Sequence, residues 1–171
     1  SIDDARYEQT MHELDQLAHA VVGNPALYAG GTRTDFGYVG DIGALPPTLS
    51  ALAQNPGGYA TWDGPYIDIG NSSAGHLSDA WNVNYIYTGT SIRSVGSGSN
   101  LDKEIAASSA DLLTNVVRGY IIDADREMPG TIYRDSVEVI LTYPAGCRWV
   151  HATSVNPNTD GSFSFANIPI G

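Results

Sequence analysis

The sequence predicts an α+β fold: an N-terminal amphipathic helix packed on an antiparallel β-sheet, followed by a C-terminal all-β, sandwich-like module. Three observations predict it. Apolar side chains recur every three or four positions across residues 3–22, the period of one helix face. Residues 59–100 hold short extended runs separated by Gly, Asn and Pro, the punctuation of a meander. From Asn115 onward short strand-like runs alternate with turn residues. We place the boundary there, giving a first domain over residues 1–114 and a β-module over 115–171.

In residues 3–22 the apolar stripe is Tyr7, Met11, Leu14, Leu17, Ala18, Val21 and Val22. Asp3, Asp4 and Glu8 favour the helix start through the macrodipole. Gly23-Asn24-Pro25 ends the helix, because Gly takes the left-handed cap and Pro cannot continue it. Residues 23–43 are Gly-rich and read as an ordered loop with one extended piece, Phe36 to Val39. Thr48 or Ser50 caps a short helix through Leu49, Leu52 and Ala53, closed by Asn55-Pro56-Gly57-Gly58. Tyr66 to Ile69 reads as a strand. Trp81 to Tyr87 reads as a second, with Trp81, Val83, Tyr85 and Tyr87 on one face, and Ile92 to Val95 as a third. Residues 101–114 read as irregular structure with some helix. In the last part, Val116–Ile122, Ser136–Tyr143, Arg148–Val155 and Ser162–Ala166 read as strands. Asp123–Gly130 is a charged turn. Asn158-Thr159-Asp160-Gly161 is a hairpin signal, since Asp-Gly fits a type I′ turn.

Composition narrows the function. The chain has 171 residues, 8 Lys plus Arg against 19 Asp plus Glu, and a formal charge of −11. Nucleic-acid binding and anionic-membrane binding both need a basic footprint, so neither fits. The hydrophobic content of 42% supports a core and argues against wholesale disorder. The single cysteine, Cys147, forbids an intrachain disulfide and reads as a small buried hydrophobe. The chain carries no apolar run of membrane-spanning length and no leader-type start; an export signal, if there is one, lies outside it.

Candidate chemistry is sparse. His12, Asp15 and His19 lie within two helical turns, but metal binding needs ligands of fixed geometry and usually a fourth group, so we read a solvated face. His76 falls in a Gly/Ser loop and His151 in a strand. Asp123 and Asp125 suit local turn hydrogen bonds better than a paired-carboxylate site. Gly30-Gly31-Thr32-Arg33-Thr34 lacks the spacing and lysine of a phosphate-binding loop. The motifs G-x-S-x-G, H-E-x-x-H and C-x-x-C are missing from the sequence. The expectation is therefore a protein that is not an enzyme. Ten tyrosines and three tryptophans leave a secreted carbohydrate-binding β-rich protein as the alternative.

One ordered set of segments carries a resemblance. Trp62-Asp63-Gly64-Pro65-Tyr66-Ile67 is followed by Asp79-Ala80-Trp81-Asn82-Val83-Asn84-Tyr85-Ile86-Tyr87 and then by Ile92-Arg93-Ser94-Val95-Gly96. Over residues 3–100 this resembles the globular part of type IV pilin-like proteins, above all the major pseudopilin of type II secretion. The resemblance implies a structural subunit of a pilus-like filament at the periplasmic face. It would be anchored in the inner membrane through an apolar helix ahead of Ser1, with a processed and methylated first residue. The implied partners are other pilin-like subunits, the secretion assembly platform and exported proteins.

The motif residues it singles out are Gly64, Pro65, Tyr66, Asp79, Trp81 and Tyr85. Asp79 can accept hydrogen bonds where the chain enters a strand. Trp81 and Tyr85 offer large area against the helix, and Gly64-Pro65 sets a turn. It also implies a calcium loop after the last segment, which here is Ser97 to Glu104, with Asn100, Asp102 and Glu104 as oxygen ligands. Lys103 and the shortness of that loop depart from the family. Residues 115–171 are similar to the carboxypeptidase-regulatory, transthyretin-like β-sandwich, through Val117-Arg118-Gly119-Tyr120-Ile121-Ile122-Asp123, Val137-Glu138-Val139 and Asp160-Gly161-Ser162-Phe163-Ser164-Phe165. That name implies no peptidase activity.

Overall fold

The structure is a computed structural model that describes residues 1–68, 70 and 75–171. The chain is mixed helix and sheet, with the helix first and every sheet antiparallel. Helix α1 runs from Ile2 to Val22. Ser1 and Asp4 form a reciprocal capping box at its start, and Gly23 caps its end at φ 82°. A Cβ at Gly23 would lie 2.2 Å from the Asp35 carbonyl oxygen, so this position needs glycine for space as well as for backbone angle.

The buried side of α1 is Thr10, Leu14, Leu17, Ala18, Ala20 and Val21. This corrects the expected stripe at its start: Tyr7 is 46% exposed. Tyr7 lies one heptad before Leu14, only about 20° round the helix, so it keeps the same face and is exposed together with every residue from Ser1 to Gln9. The helix packs where it meets the body and runs free of it before that.

After α1 comes a small hairpin, β1 (Tyr28–Ala29) and β2 (Thr32–Arg33). Helix α2 follows (Gly37–Ile42), where an extended piece was expected. The Asp35 carboxylate accepts from the Gly37 amide, and Tyr38, Val39 and Ile42 then fall on one buried helical face. Tertiary burial of that face overrides the β-tendency of Phe36 to Val39. The short helix expected near Leu49 is a 3₁₀ turn, Leu49–Leu52.

The central sheet has three strands in sequence order, β3 (Ile86–Tyr87), β4 (Ser91–Ser94) and β5 (Leu101–Glu104). Two expected strands shrink. Tyr66 and Ile67 are not in a strand, and Ile69 lies outside the described residues. Trp81 to Tyr87 is mostly a turn, with Asn82 at φ 64° and a lone bridge between Ser78 and Asn84; only its last two residues join the sheet. Residues 101–114 are more regular than expected. They form β5 and then helix α3 (Ser109–Leu113), started by a capping box between Ser108 and Asp111.

Beyond residue 115 lie β6 (Asn115–Tyr120), α4 (Gly130–Tyr133), β7 (Val139–Pro144), β8 (Val150–Val155) and β9 (Ser162–Ile168). This part is not all-β: α4 and a 3₁₀ turn at Arg134–Ser136 precede β7, and the 3₁₀ turn takes the first residue of the expected strand Ser136–Tyr143. Two separate ladders form, β6 with β9 and β7 with β8. The turn at Asn158–Gly161 closes on itself, with the Gly161 amide on the Asn158 carbonyl. It does not join paired neighbours: β8 precedes it and pairs with β7, while β9 follows it and pairs with β6. Phe163 and Phe165 share a face, edge to face at 5.9 Å.

The main core is made by α1, α2, the 3₁₀ turn at Leu49, and the central sheet: Leu14, Leu17, Val21, Tyr38, Val39, Ile42, Leu52, Tyr85 and Ile92. The C-terminal part docks on this body through backbone hydrogen bonds. The Gly146 amide donates to Ile42, Ile170 to Leu112, and Ala60 to Arg148.

Candidate functional site

The motif segments meet at one carboxylate. Asp79 is 5% exposed. Its Oδ1 accepts from the amides of Trp81 and Val83, each at 3.0 Å, and its Oδ2 accepts from the Gly96 amide at 3.0 Å and from the Ser94 hydroxyl. One side chain thus ties the turn before β3 to the end of β4. Burial on its own raises the Asp79 carboxyl. The hydrogen bonds from Ser94, Val83, Gly96 and Trp81 outweigh it and hold the carboxyl below the usual aspartate range. Gly96 is required there, since a Cβ would sit 2.5 Å from Asp79 Oδ2.

The same region grips α1. The Ala80 amide donates to the Thr10 hydroxyl at 3.2 Å, and the Tyr85 hydroxyl donates to Glu13 Oε2 at 2.8 Å. Lys103 on β5 pairs with Asp15, whose carboxyl is lowered by that hydrogen bond. Burial, then the Glu13 carboxylate, push the Tyr85 hydroxyl far up, so it stays a donor. Tyr85 is buried in the core as expected. Trp81 is half-buried; the tryptophan packed on the main core is Trp62, whose Nε1 donates to the Ala51 carbonyl. Thr10, Glu13 and Ser94 carry this framework and sequence reasoning missed them. Thr10 and Glu13 read as polar helix positions, although their places four residues before Leu14 and Leu17 put them beside the packed side.

Gly64, Pro65 and Tyr66 build a second node. The Gly64–Pro65 bond is cis. Tyr66 lies edge to face with Trp62 at 5.6 Å and with Tyr38 at 5.7 Å. Its hydroxyl donates to Asp41 Oδ2 at 2.8 Å and accepts from the Asp63 amide. Burial, then Asp63 and Asp35 nearby, raise the Asp41 carboxyl against the lowering effect of Tyr66. Burial pushes the neighbouring Tyr38 hydroxyl up to about 12.

The expected calcium residues are split between two roles. Asp102 and Glu104 lie in β5 on its exposed side, and Asp102 is held by Arg93 through two hydrogen bonds of 2.6 and 3.0 Å. That ion pair lowers the Asp102 carboxyl. Asn100 precedes the strand and is exposed. Among the described residues, no three His, Cys, Asp or Glu converge in a metal-holding group. Cys147 is exposed, not buried, with its thiol on the Trp149 carbonyl, because its loop lies on the surface between β7 and β8.

A cleft of about 530 Å³ runs beside α1, lined by Glu13, His19, Asp35, Tyr66, Asp68 and His76 among others. His76 Nε2 lies 3.1 Å from the Leu49 carbonyl, and burial lowers its pKa. The carboxylates here already cap local structure: Asp35 accepts from Asn24 and Gly37, and Asp68 from Gly70. No family model matches the chain, and neither a curated protein nor a solved structure matches it.

Proposed function

We propose that the chain is a structural, non-enzymatic subunit of a pilus-like filament, a pseudopilin or minor pilin of a type II secretion or type IV pilus system. The observation that carries this reading is the division of α1. Its second half is packed on the central sheet through Leu14, Leu17 and Val21, while residues 2–9 are helical and exposed throughout. Eight exposed residues of helix at 1.5 Å each span about 12 Å, a geometry suited to a helix that continues into a shared bundle. The Asp79 framework supports it as well. It fixes α1 to the sheet through Thr10 and Glu13, so force along the helix passes into the globular part.

In this reading residues 1–114 form the pilin-like body and residues 115–171 a sandwich-like module on its outside. No described helix is long and apolar enough to cross a membrane; the inner-membrane anchor would be an apolar segment ahead of Ser1. The partners would be other pilin-like subunits, the assembly platform and exported proteins. The charge of −11 would keep free subunits apart until assembly screens it, with calcium as one screening cation. The test is the N-terminal sequence and intact mass of the protein isolated from its own cells. About 20 apolar residues ahead of Ser1, with a methylated first residue, support the proposal. A native start at or near Ser1 overturns it.

A second reading, a carbohydrate-binding β-rich protein, is favoured by exposed aromatics: Tyr28, Tyr120, Tyr133 and Trp149. A glycan array probed with the soluble chain separates the two.

A further inference from the structure

The ladder of β7 and β8 leaves one face bare. Its register pairs Ile140 with Ser154, Thr142 with Ala152 and Pro144 with Val150. Residues directly opposite in an antiparallel pair share a face, and so do alternate residues along each strand. Ile140, Thr142, Pro144, Val150, Ala152 and Ser154 therefore form one surface. Ile140 is 62% exposed and Val150 52%; Thr142, Ala152 and Ser154 are exposed and Pro144 is half-buried. Trp149, 73% exposed, flanks it. The opposite face, with Val139, Leu141, Thr153 and Val155, is half-buried.

The six ladder residues of this face carry no charge; the exposed Glu138 and Arg148 stand just beyond opposite ends of the ladder. An uncharged face stands out in a molecule of net charge −11; exposed sheet edges are commonly guarded by charge or proline, and within this ladder only Pro144 plays that part. Charge is also unevenly spread along the chain. Residues 1–114 hold 4 basic and 13 acidic side chains, net −9, whereas residues 115–171 hold 4 basic and 6 acidic, net −2.

We infer that the β7–β8 face is a self-association surface, packing on the same face of a second copy about a two-fold axis. Charge selects this occupant. Two copies meeting on the acidic body bring carboxylates together, whereas the six ladder residues of this face are uncharged and sit in the part with the least net charge, with one acidic and one basic residue, Glu138 and Arg148, at opposite ends. A two-fold contact needs a self-complementary patch, and sheets pack face to face about 10 Å apart with interdigitating small and branched side chains such as these. The area also fits. With Trp149 at its rim the patch exposes on the order of 600 Å² per copy, so a dimer that covered all of it would bury about 1,200 Å², the lower end of specific interfaces. The dimer is accordingly reversible. The inference stands apart from the filament reading, because it needs neither α1 nor any segment ahead of Ser1.

Sedimentation velocity of the purified chain from low micromolar to several hundred micromolar is the test. The expected result is a concentration-dependent monomer–dimer equilibrium that persists in high salt. Ile140→Glu and Val150→Glu should each weaken dimerisation at least tenfold. Far-ultraviolet circular dichroism and melting checks that they fold, and Thr142→Ser serves as a conservative control that dimerises normally. A spin label on Cys147, the sole cysteine, gives a second readout without altering the face: dipolar coupling between copies should grow with concentration. A chain monomeric at every concentration, or a dimer indifferent to both glutamates, overturns the inference. So does a glycan bound by the monomer and lost in Trp149→Ala, which would make a sugar the occupant. None of these results bears on the N-terminal sequencing that decides the filament reading.

Discussion

Asp79 shows how much one buried carboxylate can organise. Its four hydrogen bonds come from three amides and a hydroxyl on two segments, and bonds to a charged acceptor are worth roughly 1.5–3 kcal/mol each when their loss strands the donors. Asp79→Ala is expected to cost about 3 kcal/mol in urea unfolding. The folded carboxyl titrates below its unfolded value, so its contribution is complete above pH ~4 and is lost as pH falls through the folded pKa. Acid titration of stability should therefore show a steep limb below pH ~4 that is shallower in Asp79→Ala. Asp41 has the opposite sign. Its carboxyl is raised, so ionisation is penalised in the folded state and the penalty appears as pH rises through the folded pKa. Asp41→Asn should melt higher than the native chain at pH 7, with the gap closing toward acid pH, while the amide oxygen still accepts from Tyr66.

Helix α1 depends on a different balance. Its exposed first half is held by the capping box and the acidic first turn, effects of about 1 kcal/mol each. Its second half is held by burial, where Leu14, Leu17 and Val21 each gain roughly 1.5–3 kcal/mol. Leu14 is fully buried, so Leu14→Ala is expected to cost about 2–5 kcal/mol. By contrast, removing residues 2–8 should leave the melting temperature nearly unchanged, because none of them is buried. Amide hydrogen exchange should show the same division, fast before Thr10 and slow from Thr10 to Val21.

The two parts of the chain are joined by backbone contact at a few places. Gly43 sits at φ 73° with the Pro144 carbonyl oxygen 2.0 Å from where a Cβ would stand, and the adjacent Ile42 carbonyl accepts from Gly146. Gly43→Ala must move the β7–β8 ladder or distort α2. We expect it to lower the melting temperature and to speed proteolytic cleavage in residues 145–149, measured by mass spectrometry of the fragments. The body, with its core, should survive better than the ladders, since a two-stranded ribbon is marginal without packing.

Much of this architecture was legible from residue order alone. The 3.6-residue period and the acidic start declared α1, and Gly23 declared its end, because these signals are local. Ser91 to Ser94 and the strands at Val139, Val150 and Ser162 were readable for the same reason, as short apolar runs between turn residues. Which strands pair was not readable. Asp160-Gly161 makes a tight turn in either case, yet whether β9 returns to β8 or crosses to β6 depends on contacts more than 40 residues away. The left-handed Asn82 and the hydrogen bonds of Asp79 turned an alternating apolar run into a loop, and burial of Tyr38, Val39 and Ile42 turned a β-prone run into a helix. Of the motif residues, the acceptor at Asp79 was visible as a residue type in a place. Its donors, Ser94 and Gly96, and its link to Thr10 through Ala80 emerged only when the chain closed in three dimensions. Periodicity, caps and turn chemistry act within a few residues and so are written along the chain. Pairing, burial of polar groups and exposure of a sheet face depend on which distant segments meet, and only the folded structure decides that.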